Sequence, residues 1–276
     1  MKKLLAFILS LILSVCAMAT FTACGDDDGA GISDLDDIIA RGKITMATEA
    51  TFAPFESKNG TDFVGIDIDI AQAIADYIGV TLEVKDMAFD SVVTSVQKGQ
   101  TDLAIAALTI SEDRKKAINF SDAYFGAAQY VVVKANDTTF DGLTTKEEID
   151  AKLATLSGNA AAQQATTGFY YIKGSSDFCF DGFSNLTPRA FDSAVLAAQA
   201  VANGQAKLAI LDDEVAEQIV AQNTDVKVIR IALSSEEYGI GINKANTGLR
   251  LVVNKVLKQL KDSGELSQII ARHTGD

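Results

Sequence analysis

Cysteine and histidine are scarce in this sequence. Its 276 residues include three cysteines and one histidine. Cys16 and Cys24 lie near the N-terminus, so Cys179 is alone in the body of the chain and no intramolecular disulfide is expected there. His273 lies near the C-terminus, where we expect a surface role, and neither a catalytic triad nor a histidine-based metal site can be built. The sequence predicts no metal and no cofactor, and the fold must rest on its core, for which 48% of the residues are hydrophobic.

Basic residues are also few. The sequence has 24 Lys and Arg against 37 Asp and Glu, a formal net charge of -13. Loss of an N-terminal segment containing Lys2 and Lys3 would leave 22 against 37, or -15. This acidic excess disfavours nucleic acid and anionic lipid as partners.

Residues 1–23 have the pattern of an export signal: two lysines, an apolar run over residues 4–19, and small residues before Cys24. A transmembrane anchor is the alternative, but the run is short for a span and ends in FTACG rather than in a basic stop-transfer patch. FTAC resembles a bacterial lipobox. Cys24 would then be lipidated and would become the mature N-terminus.

Phe21 departs from the leucine that usually begins a lipobox. Cys16 is the poorer candidate for lipidation, because Val15 before it is not small. After the lipidated cysteine, residues 24–34 are acidic and contain glycine, which predicts a flexible tether. The expected location is outside the cell, with a lipid anchor on the outer face of the cytoplasmic membrane, or in the periplasm.

Strand and helix patterns alternate in the next part of the chain. Residues 43–48, 81–85 and 102–107 read as strands, and residues 67–79 and 90–98 as amphipathic helices. The apolar face and glycine C-cap of the first helix are expected at Ile70, Ile74, Tyr77, Ile78 and Gly79. This alternation predicts an α/β fold with a mostly parallel sheet.

Ligands of such sheets bind beyond the carboxyl ends of the strands. Two loops reach that edge, residues 49–55 and residues 106–110. These loops are therefore the first places to look for a binding site.

A second α/β region is expected after the β-rich run at residues 128–134. Segment 166–185 within it is aromatic, contains Cys179, and reads either as a hairpin or as an insertion. The other expected elements are a strand at 154–157, a loop SGNAAA that opens a helix, a strand at 186–191, a helix at 193–203, a strand at 207–211, a helix at 214–222, strands at 226–231 and 238–243, and a helix at 248–261.

The stretch TDLAIAALTISEDRKKAINFSDAYF places an arginine at a helix start. Ser111 is the expected N-cap of a helix that runs to residue 117. Free backbone N–H groups, the hydroxyl of Thr109 and the guanidinium of Arg114 suit capture of a small carboxylate, because arginine binds two oxygens at once. A solvated Arg114 on the charged face SEDRKK is the alternative, and this segment alone favours neither.

Five motifs follow one another along the chain: TEATFAPFE, FVGIDIDIAQAIADYIGV, LTISEDRKKAINFSDAYF, LAILDDEVA and SSEEYGIGINK. Together and in this order, they are more specific for a family than any single motif would be. With them, nearly all of the chain after the signal resembles the bacterial extracellular solute-binding proteins of family 3, which serve polar amino acid transporters. The resemblance implies a two-lobed clamshell like the periplasmic binding proteins of type II.

In that clamshell lobe 1 is discontinuous and lobe 2 is inserted. The implied parts are residues 35–131 for the first part of lobe 1, residues 132–232 for lobe 2, and residues 233–276 for the return to lobe 1. Two hinge strands would cross between the lobes, near residues 130–134 and 231–238.

The resemblance also implies roles for individual residues. Arg114 and Thr109 match the family's ligands for an α-carboxylate, and Asp213 matches the acid that binds the α-ammonium from the opposite lobe. The backbone C=O of Ala107 would accept from the ammonium as well. Asp212 competes with Asp213 for this role, and Asp213 as the N-cap of the following helix is the structural alternative.

Three positions match the side-chain end of the ligand. Phe52 and Phe89 match aromatic stacking positions, although either ring fits a core role, and Phe52 is preferred because it lies in a loop. Glu49 stands where binders of lysine, arginine, histidine and glutamine often carry aspartate. A basic or amide amino acid is therefore favoured, aspartate and glutamate are disfavoured, and cystine stays open because glutamate also occurs in cystine-binding relatives.

The family's glycine- and threonine-rich loop in lobe 2 gives backbone N–H groups to the carboxylate. Its match here is Gly158, Asn159, Ala160 and Ala161, which lack the threonine hydroxyls. Asn159 would offer a side-chain amide in their place.

The implied function is a lipid-anchored monomeric receptor, and not an enzyme, that captures an amino acid and hands it to an ABC transporter permease in the membrane. Exported cyclohexadienyl dehydratases share the fold and are the alternative, in which Glu49 or Asp213 would serve as general acid. A sensor module of a receptor kinase or a peptidoglycan lyase relative would need further domains.

Overall fold

The computed structural model describes residues 34–275 of the chain. They form an α/β structure with two five-stranded sheets, one in each lobe. The expected signal at residues 1–23, the lipidation site at Cys24 and the rest of the tether up to residue 33 lie outside the described residues. Within residues 34–275, no helix is both long and apolar enough to cross a membrane.

The strands are β1 (Lys43–Thr48), β2 (Thr51–Phe52), β3 (Glu56–Asn59), β4 (Asp62–Val64), β5 (Thr81–Asp86), β6 (Leu103–Ala104), β7 (Asn119–Phe120), β8 (Phe125–Ala127), β9 (Gln129–Lys134), β10 (Gly158–Gln163), β11 (Leu186–Phe191), β12 (Leu208–Asp212), β13 (Val226–Ile229), β14 (Glu236–Tyr238) and β15 (Gly241–Ile242). The helices are α1 (Leu35–Arg41), α2 (Ile66–Ile78), α3 (Phe89–Gln97), α4 (Glu112–Ala117), α5 (Lys146–Leu153), α6 (Thr167–Lys173), α7 (Ala194–Ala202), α8 (Asp213–Gln222), α9 (Thr247–Ser263) and α10 (Glu265–Thr274), with a 3-10 turn at Ser176–Phe178.

The sheet of lobe 1 has the order β5-β1-β6-β15-β7. Strand β1 runs parallel to β5 and β6, and β15 runs antiparallel to β6 and β7. The strands and helices expected between residues 43 and 98 are present with small shifts of their ends. The strand expected at residues 102–107 is shorter, because β6 covers only Leu103–Ala104 and the chain then bends toward the site.

Helix α2 follows its apolar periodicity. Ile70 and Ile74 are fully buried, and each stabilises the fold by about 1.5–3 kcal/mol. Gly79 ends the helix in the left-handed conformation, with φ 83°. Tyr77 was expected on the buried face, and this is wrong: it is 42% exposed and lies under the ammonium of Lys255 on α9, at 5.3 Å.

The sheet of lobe 2 has the order β11-β10-β12-β9-β13, with β10 parallel to β11 and β12. The strand expected at residues 154–157 and the loop expected at SGNAAA are both wrong, because α5 ends at Leu153 and Gly158–Gln163 form the interior strand β10. Its alanines are fully buried under α6 and α7. Alanine has a low strand propensity, so burial between helices, rather than local preference, makes this segment a strand.

Half of segment 166–185 is helical. It contains α6 and the 3-10 turn, with only an isolated bridge between Ser175 and Phe180 to suggest a hairpin. Cys179 ends the turn, is exposed, and has φ 56°.

The chain passes between the sheets at β8 and β14, which pair with each other antiparallel. Phe55 packs edge-on against Phe125 and Tyr238 there, with ring centroids 4.9 and 5.2 Å apart. All of β9 pairs within the sheet of lobe 2, so the structure places the first crossing at β8 rather than at residues 130–134. The proposed boundary between residues 131 and 132 falls inside β9.

Candidate functional site

Arg114 is buried at the start of α4, with 9% of its surface exposed. The hydroxyl of Ser111 caps this helix by accepting from the backbone N–H of Arg114 at 3.3 Å. Nη1 of Arg114 donates to the carbonyl of Thr109 at 2.8 Å, and the guanidinium lies 5.3 Å from the ring centre of Phe89. Burial lowers the pKa of Arg114. The alternative of a solvated Arg114 is therefore wrong.

Lobe 2 meets this arginine with the loop before α6. Nη2 of Arg114 donates to the carbonyl of Ala165 at 3.2 Å, and Thr109 Oγ1 lies 3.1 Å from Thr167 Oγ1. Thr166 caps α6 through the backbone N–H of Phe169. The loop before α6 thus contacts Arg114 through the carbonyl of Ala165 and contacts Thr109 through the hydroxyl of Thr167.

The residues expected in this place lie elsewhere. Ala160 and Ala161 are fully buried inside β10, and Asn159 Nδ2 donates to the carbonyl of Gln205. The carbonyl of Asn159 accepts from the backbone of Lys207, just before β12. Strands rise by about 3.3 Å per residue, so Asn159 is roughly 16 Å from the carboxyl end of β12. The structure does not bring these three residues to Arg114.

The two adjacent acids at the end of β12 have different surroundings. Both carboxylate oxygens of Asp213 accept backbone N–H groups, from Ala128 at 3.1 Å and from Glu214 at 3.0 Å. Asp212 is 6% exposed and accepts a hydrogen bond from the hydroxyl of Tyr238. Burial, together with the charge of Glu236, raises the pKa of Asp212 to about 7. Asp213 therefore holds the start of α8, while Asp212 lies in the interior.

Glu49 contacts the opposite lobe. Its Oε2 accepts from Gln163 Nε2 at 3.0 Å, and its Oε1 accepts from Thr51 at 2.6 Å. Burial raises the pKa of Glu49, and the charge of Asp86 adds to the rise. Gln163 Oε1 is buried and has no hydrogen-bond partner among the described residues. A ligand with several N–H donors would satisfy both acceptors.

The two candidate aromatic rings are placed differently. Phe52 is 7% exposed and belongs to a buried cluster that contains residues of both lobes, where its ring centre is 6.3 Å from that of Phe55. Phe89 is half-buried and lines a cavity of 210 Å³ with Arg114, Ala165 and other residues. Phe89, rather than the preferred Phe52, is thus the ring beside the guanidinium.

Ala107 occupies the left-handed region, with φ 45°. Its backbone N–H donates to Asp67 Oδ2 at 2.7 Å, and Asp67 Oδ1 accepts from the hydroxyl of Tyr124 at 2.7 Å. Burial raises the pKa of Asp67 to about 6. Glu56 is also fully buried, and burial and the charge of Asp67 raise its pKa well above the usual value.

Four carboxyl groups described above are buried, those of Glu49, Glu56, Asp67 and Asp212, and a fifth, the partly exposed Glu236, accepts a hydrogen bond from Thr109. Arg114 is the one Lys or Arg side chain buried among residues 34–275. Buried carboxylates are costly unless paired, so this arrangement favours a guest that brings positive charge. No group of three His, Cys, Asp or Glu in the same residues is arranged to hold a metal ion.

The sequence reasoning missed several of these residues. Thr166 and Thr167 carry the pattern of a helix N-cap after a strand, which was a usable signal. The loop before α6 was not recognised because it lacks the usual glycine. Ala165 adopts the left-handed conformation there, with φ 61°. Gln163 and Glu236 had no local signal, since each acts through contacts more than 100 positions away, to Glu49 and Thr109 respectively.

A family model described as bacterial extracellular solute-binding proteins, family 3, matches residues 44–276. The arginine-binding extracellular protein ArtP of Bacillus subtilis (strain 168) is 28% identical over 263 residues, which cover 95% of this chain and 95% of that protein.

Solved structures give the same picture. A P235GK mutant of ArgBP from T. maritima has a TM-score of 0.76 and 34% identity, covering 88% of this chain and 99% of its own. AncCDT-1, an ancestral amino acid-binding protein and a precursor of cyclohexadienyl dehydratase, has a TM-score of 0.76 and 29% identity, covering 87% and 99%.

Proposed function

Because the chain belongs to the bacterial extracellular solute-binding proteins of family 3, we propose that it captures a basic or amide amino acid, with arginine as first candidate, and delivers it to an ABC importer. The observation that carries this choice is the surplus of buried carboxyl groups around a single buried guanidinium. A zwitterion with a cationic side chain supplies one carboxylate to the arginine and two cations to the acids. The arginine-binding relatives are consistent with this choice.

The carboxylate end of the ligand binds Arg114 and Thr109. From lobe 2, the backbone N–H groups at the start of α6 and the hydroxyl of Thr167 complete this subsite. Charge-assisted and bidentate hydrogen bonds are the strong ones, and a dry cleft strengthens them further.

The ammonium binds Asp212 and the carbonyl of Ala107. We transfer this role from Asp213 to its neighbour, because the backbone N–H groups of Ala128 and Glu214 already compensate part of the charge of Asp213. Asp212 is buried beside Glu236, where a cation relieves the repulsion between the two acids.

The distal end of the side chain binds Glu49 and Gln163. A guanidinium or a terminal amide donates to the carboxylate and to the unpaired Oε1 of Gln163 at once. Phe89 stacks on the aliphatic part of the ligand, as it now stacks beside Arg114.

Capture works by population shift. The ligand contacts both lobes, so it favours the closed state through bonds that an open cleft does not offer. The closed form is what the permease receives. We further propose that the receptor is an exported monomer, attached to the membrane by lipid on Cys24.

The test is calorimetric titration of protein beginning at residue 25, refolded to remove carried-over ligand, with each common amino acid and with cystine. One-to-one binding of arginine, lysine, histidine or glutamine without turnover is expected. Tight binding of aspartate or glutamate, or of cystine alone, would contradict the assigned side-chain class.

Dehydratase activity is the second candidate. The observation in its favour is Asp212, whose pKa of about 7 leaves it partly protonated at neutral pH and able to act as a general acid. Incubation with prephenate distinguishes the two: consumption of this cyclic acid, with no amino acid bound, would replace the receptor by the enzyme.

A further inference from the structure

Ala107 has an unusual backbone conformation for a residue with a side chain. Its φ of 45° lies in the left-handed region, which residues other than glycine and asparagine seldom occupy. It lies in the bend after β6, two positions before Thr109, and is 4% exposed. Contacts with other residues must therefore stabilise this conformation of Ala107.

The flanking residues are held by backbone bonds. Ile105 donates to the carbonyl of Ala47 at 3.1 Å, and the carbonyl of Leu108 accepts from Gly239 at 3.1 Å. Ala107 is different, because its N–H donates to a side chain, Asp67 Oδ2, at 2.7 Å. No donor among the described residues is bonded to the Ala107 carbonyl, so this acceptor is available to a ligand.

Asp67 is itself fixed. Its backbone N–H donates to the carbonyl of Phe55 at 2.9 Å, and its second oxygen accepts from the hydroxyl of Tyr124. It lies in the first turn of α2, where the helix dipole favours a negative charge. The carboxylate is thus a rigid acceptor under the bend.

The surroundings make a purely structural role expensive. Asp67 and Glu56 are both fully buried next to one another, and neither forms an ion pair. An apolar pair would fill the same space without desolvating two acids. The stability of the fold alone therefore gives no reason for a buried acid at this position.

We propose that Asp67 is a positioning residue that holds Ala107 in its left-handed conformation, so that the Ala107 carbonyl accepts the α-ammonium of the ligand. This rests on the proposed function, because it requires an amino acid as the guest. It extends that function by assigning the selection of α-amino acids over their des-amino analogues to a residue that does not touch the ligand.

The experiment compares two ligands on several variants. The ligands are L-arginine and 5-guanidinopentanoate, which differ by the α-amino group. Wild-type protein should prefer L-arginine. Asp67→Ala should lower the affinity for L-arginine by about tenfold or more, as loss of one hydrogen bond to a charged group does. The affinity for the analogue should change little. The ratio of the dissociation constant of the analogue to that of L-arginine therefore falls.

Asp67→Asn is the conservative variant. Its amide oxygen still accepts from Ala107 and its NH₂ group donates to the Tyr124 oxygen, so most of the ratio should return. Tyr124→Phe is the matched control: it removes the other bond to the same carboxylate, leaves the bond to Ala107, and should change the ratio less than Asp67→Ala does.

A second pair keeps the test decisive where Asp67→Ala does not fold. Ala107→Val disfavours a positive φ, whereas Ala107→Gly permits it, so valine should lower the ratio and glycine should not lower it as far. Equal weakening of both ligands in Asp67→Ala, or equal ratios for valine and glycine at position 107, would overturn the positioning role. Absence of amino acid binding by the wild type would instead overturn the proposed function first.

Discussion

The two sides of the cleft are stabilised in different ways. In lobe 1, Arg114 and Ala107 are held by groups of the same lobe, the carbonyl of Thr109 and the carboxylate of Asp67. In lobe 2, Thr167 and Gln163 reach across to lobe 1. The difference indicates that lobe 1 offers a formed platform before closure, and that lobe 2 completes the site when the lobes meet.

Arg114→Ala should have the largest effect, because it removes the centre of the platform. We expect affinity for the amino acid to fall by about 100-fold or more, since a buried charge loses its partner. Calorimetric titration measures the loss, and circular dichroism checks that the protein stays folded. Lys115→Ala is the matched control on the same helix, because Lys115 is exposed and its salt bridge within residues 34–275 is to the also exposed Glu112. If Arg114→Ala kept its affinity, Arg114 would not be the ligand of the carboxylate.

Asp212→Asn tests the role of the interior acid of lobe 2, and we expect it to have the second largest effect on affinity. In this structure, where the lobes are in contact, burial and the charge of Glu236 raise the pKa of Asp212 from the usual value of 3.8 to about 7. A bound ammonium favours the ionised form, so wild-type affinity should rise between pH 6 and pH 8, and this rise should be missing in Asp212→Asn. Titration at several pH values measures it.

The same shift predicts the stability of the free protein. Because the folded pKa lies above the unfolded one, the folded state binds the extra proton between pH 4 and pH 7, and the unfolding free energy falls as pH rises through that range. Asp212→Asn should flatten this part of the curve in thermal unfolding. Asp213→Asn is the neighbouring control; if it alone removed the pH dependence of binding, the role would return to Asp213.

Thr167→Val sharpens the comparison within lobe 2. It keeps the shape but removes the hydroxyl that meets Thr109, and a neutral hydrogen bond of this kind corresponds to roughly 2- to 10-fold in affinity. Asn159→Ala should change affinity by less than about twofold, because Asn159 bonds to Gln205 far from the clamp. The reverse result would restore residues 158–161 as the ligand loop.

Lys116→Ala should have the smallest effect. Lys116 on α4 pairs with Asp177 of lobe 2 at 2.8 Å, but both side chains are exposed. Surface ion pairs contribute little and are screened by salt, so affinity should change by about twofold or less and only at low ionic strength. A larger loss that persists at high salt would mean that this contact controls closure.

Most of lobe 1 could be predicted from the sequence. The helix start at Ser111 and the arginine beyond it lie within four positions of each other. The spacing of Ile70 and Ile74 predicts the buried face of α2. In lobe 2 the family's loop was matched to residues 158–161, one strand before the loop that contacts Arg114, because the alanine-rich β10 has no apolar alternation and Ala165 replaces a glycine signal.

The neighbouring acids show the limit most clearly. Asp212 and Asp213 are equivalent in any local pattern, and both were candidates. Which of them enters the interior depends on how β12 pairs with β9, since side chains alternate between opposite faces of a strand. Phe52 and Phe89 are a similar case: the loop position favoured the first, but the ring beside the guanidinium of Arg114 is that of Phe89.

The sequence alone was sufficient to predict the helix caps, the α/β alternation and the family, because each rests on interactions between residues a few positions apart or on ordered motifs. The three-dimensional structure was needed to show that Asp212 is the interior acid, that Ala165 and Thr167 contact Arg114 and Thr109, and that Asp67 bonds to Ala107. These choices depend on strand register and on which groups from distant segments share a buried, low-dielectric space, where an unpaired polar group is most costly.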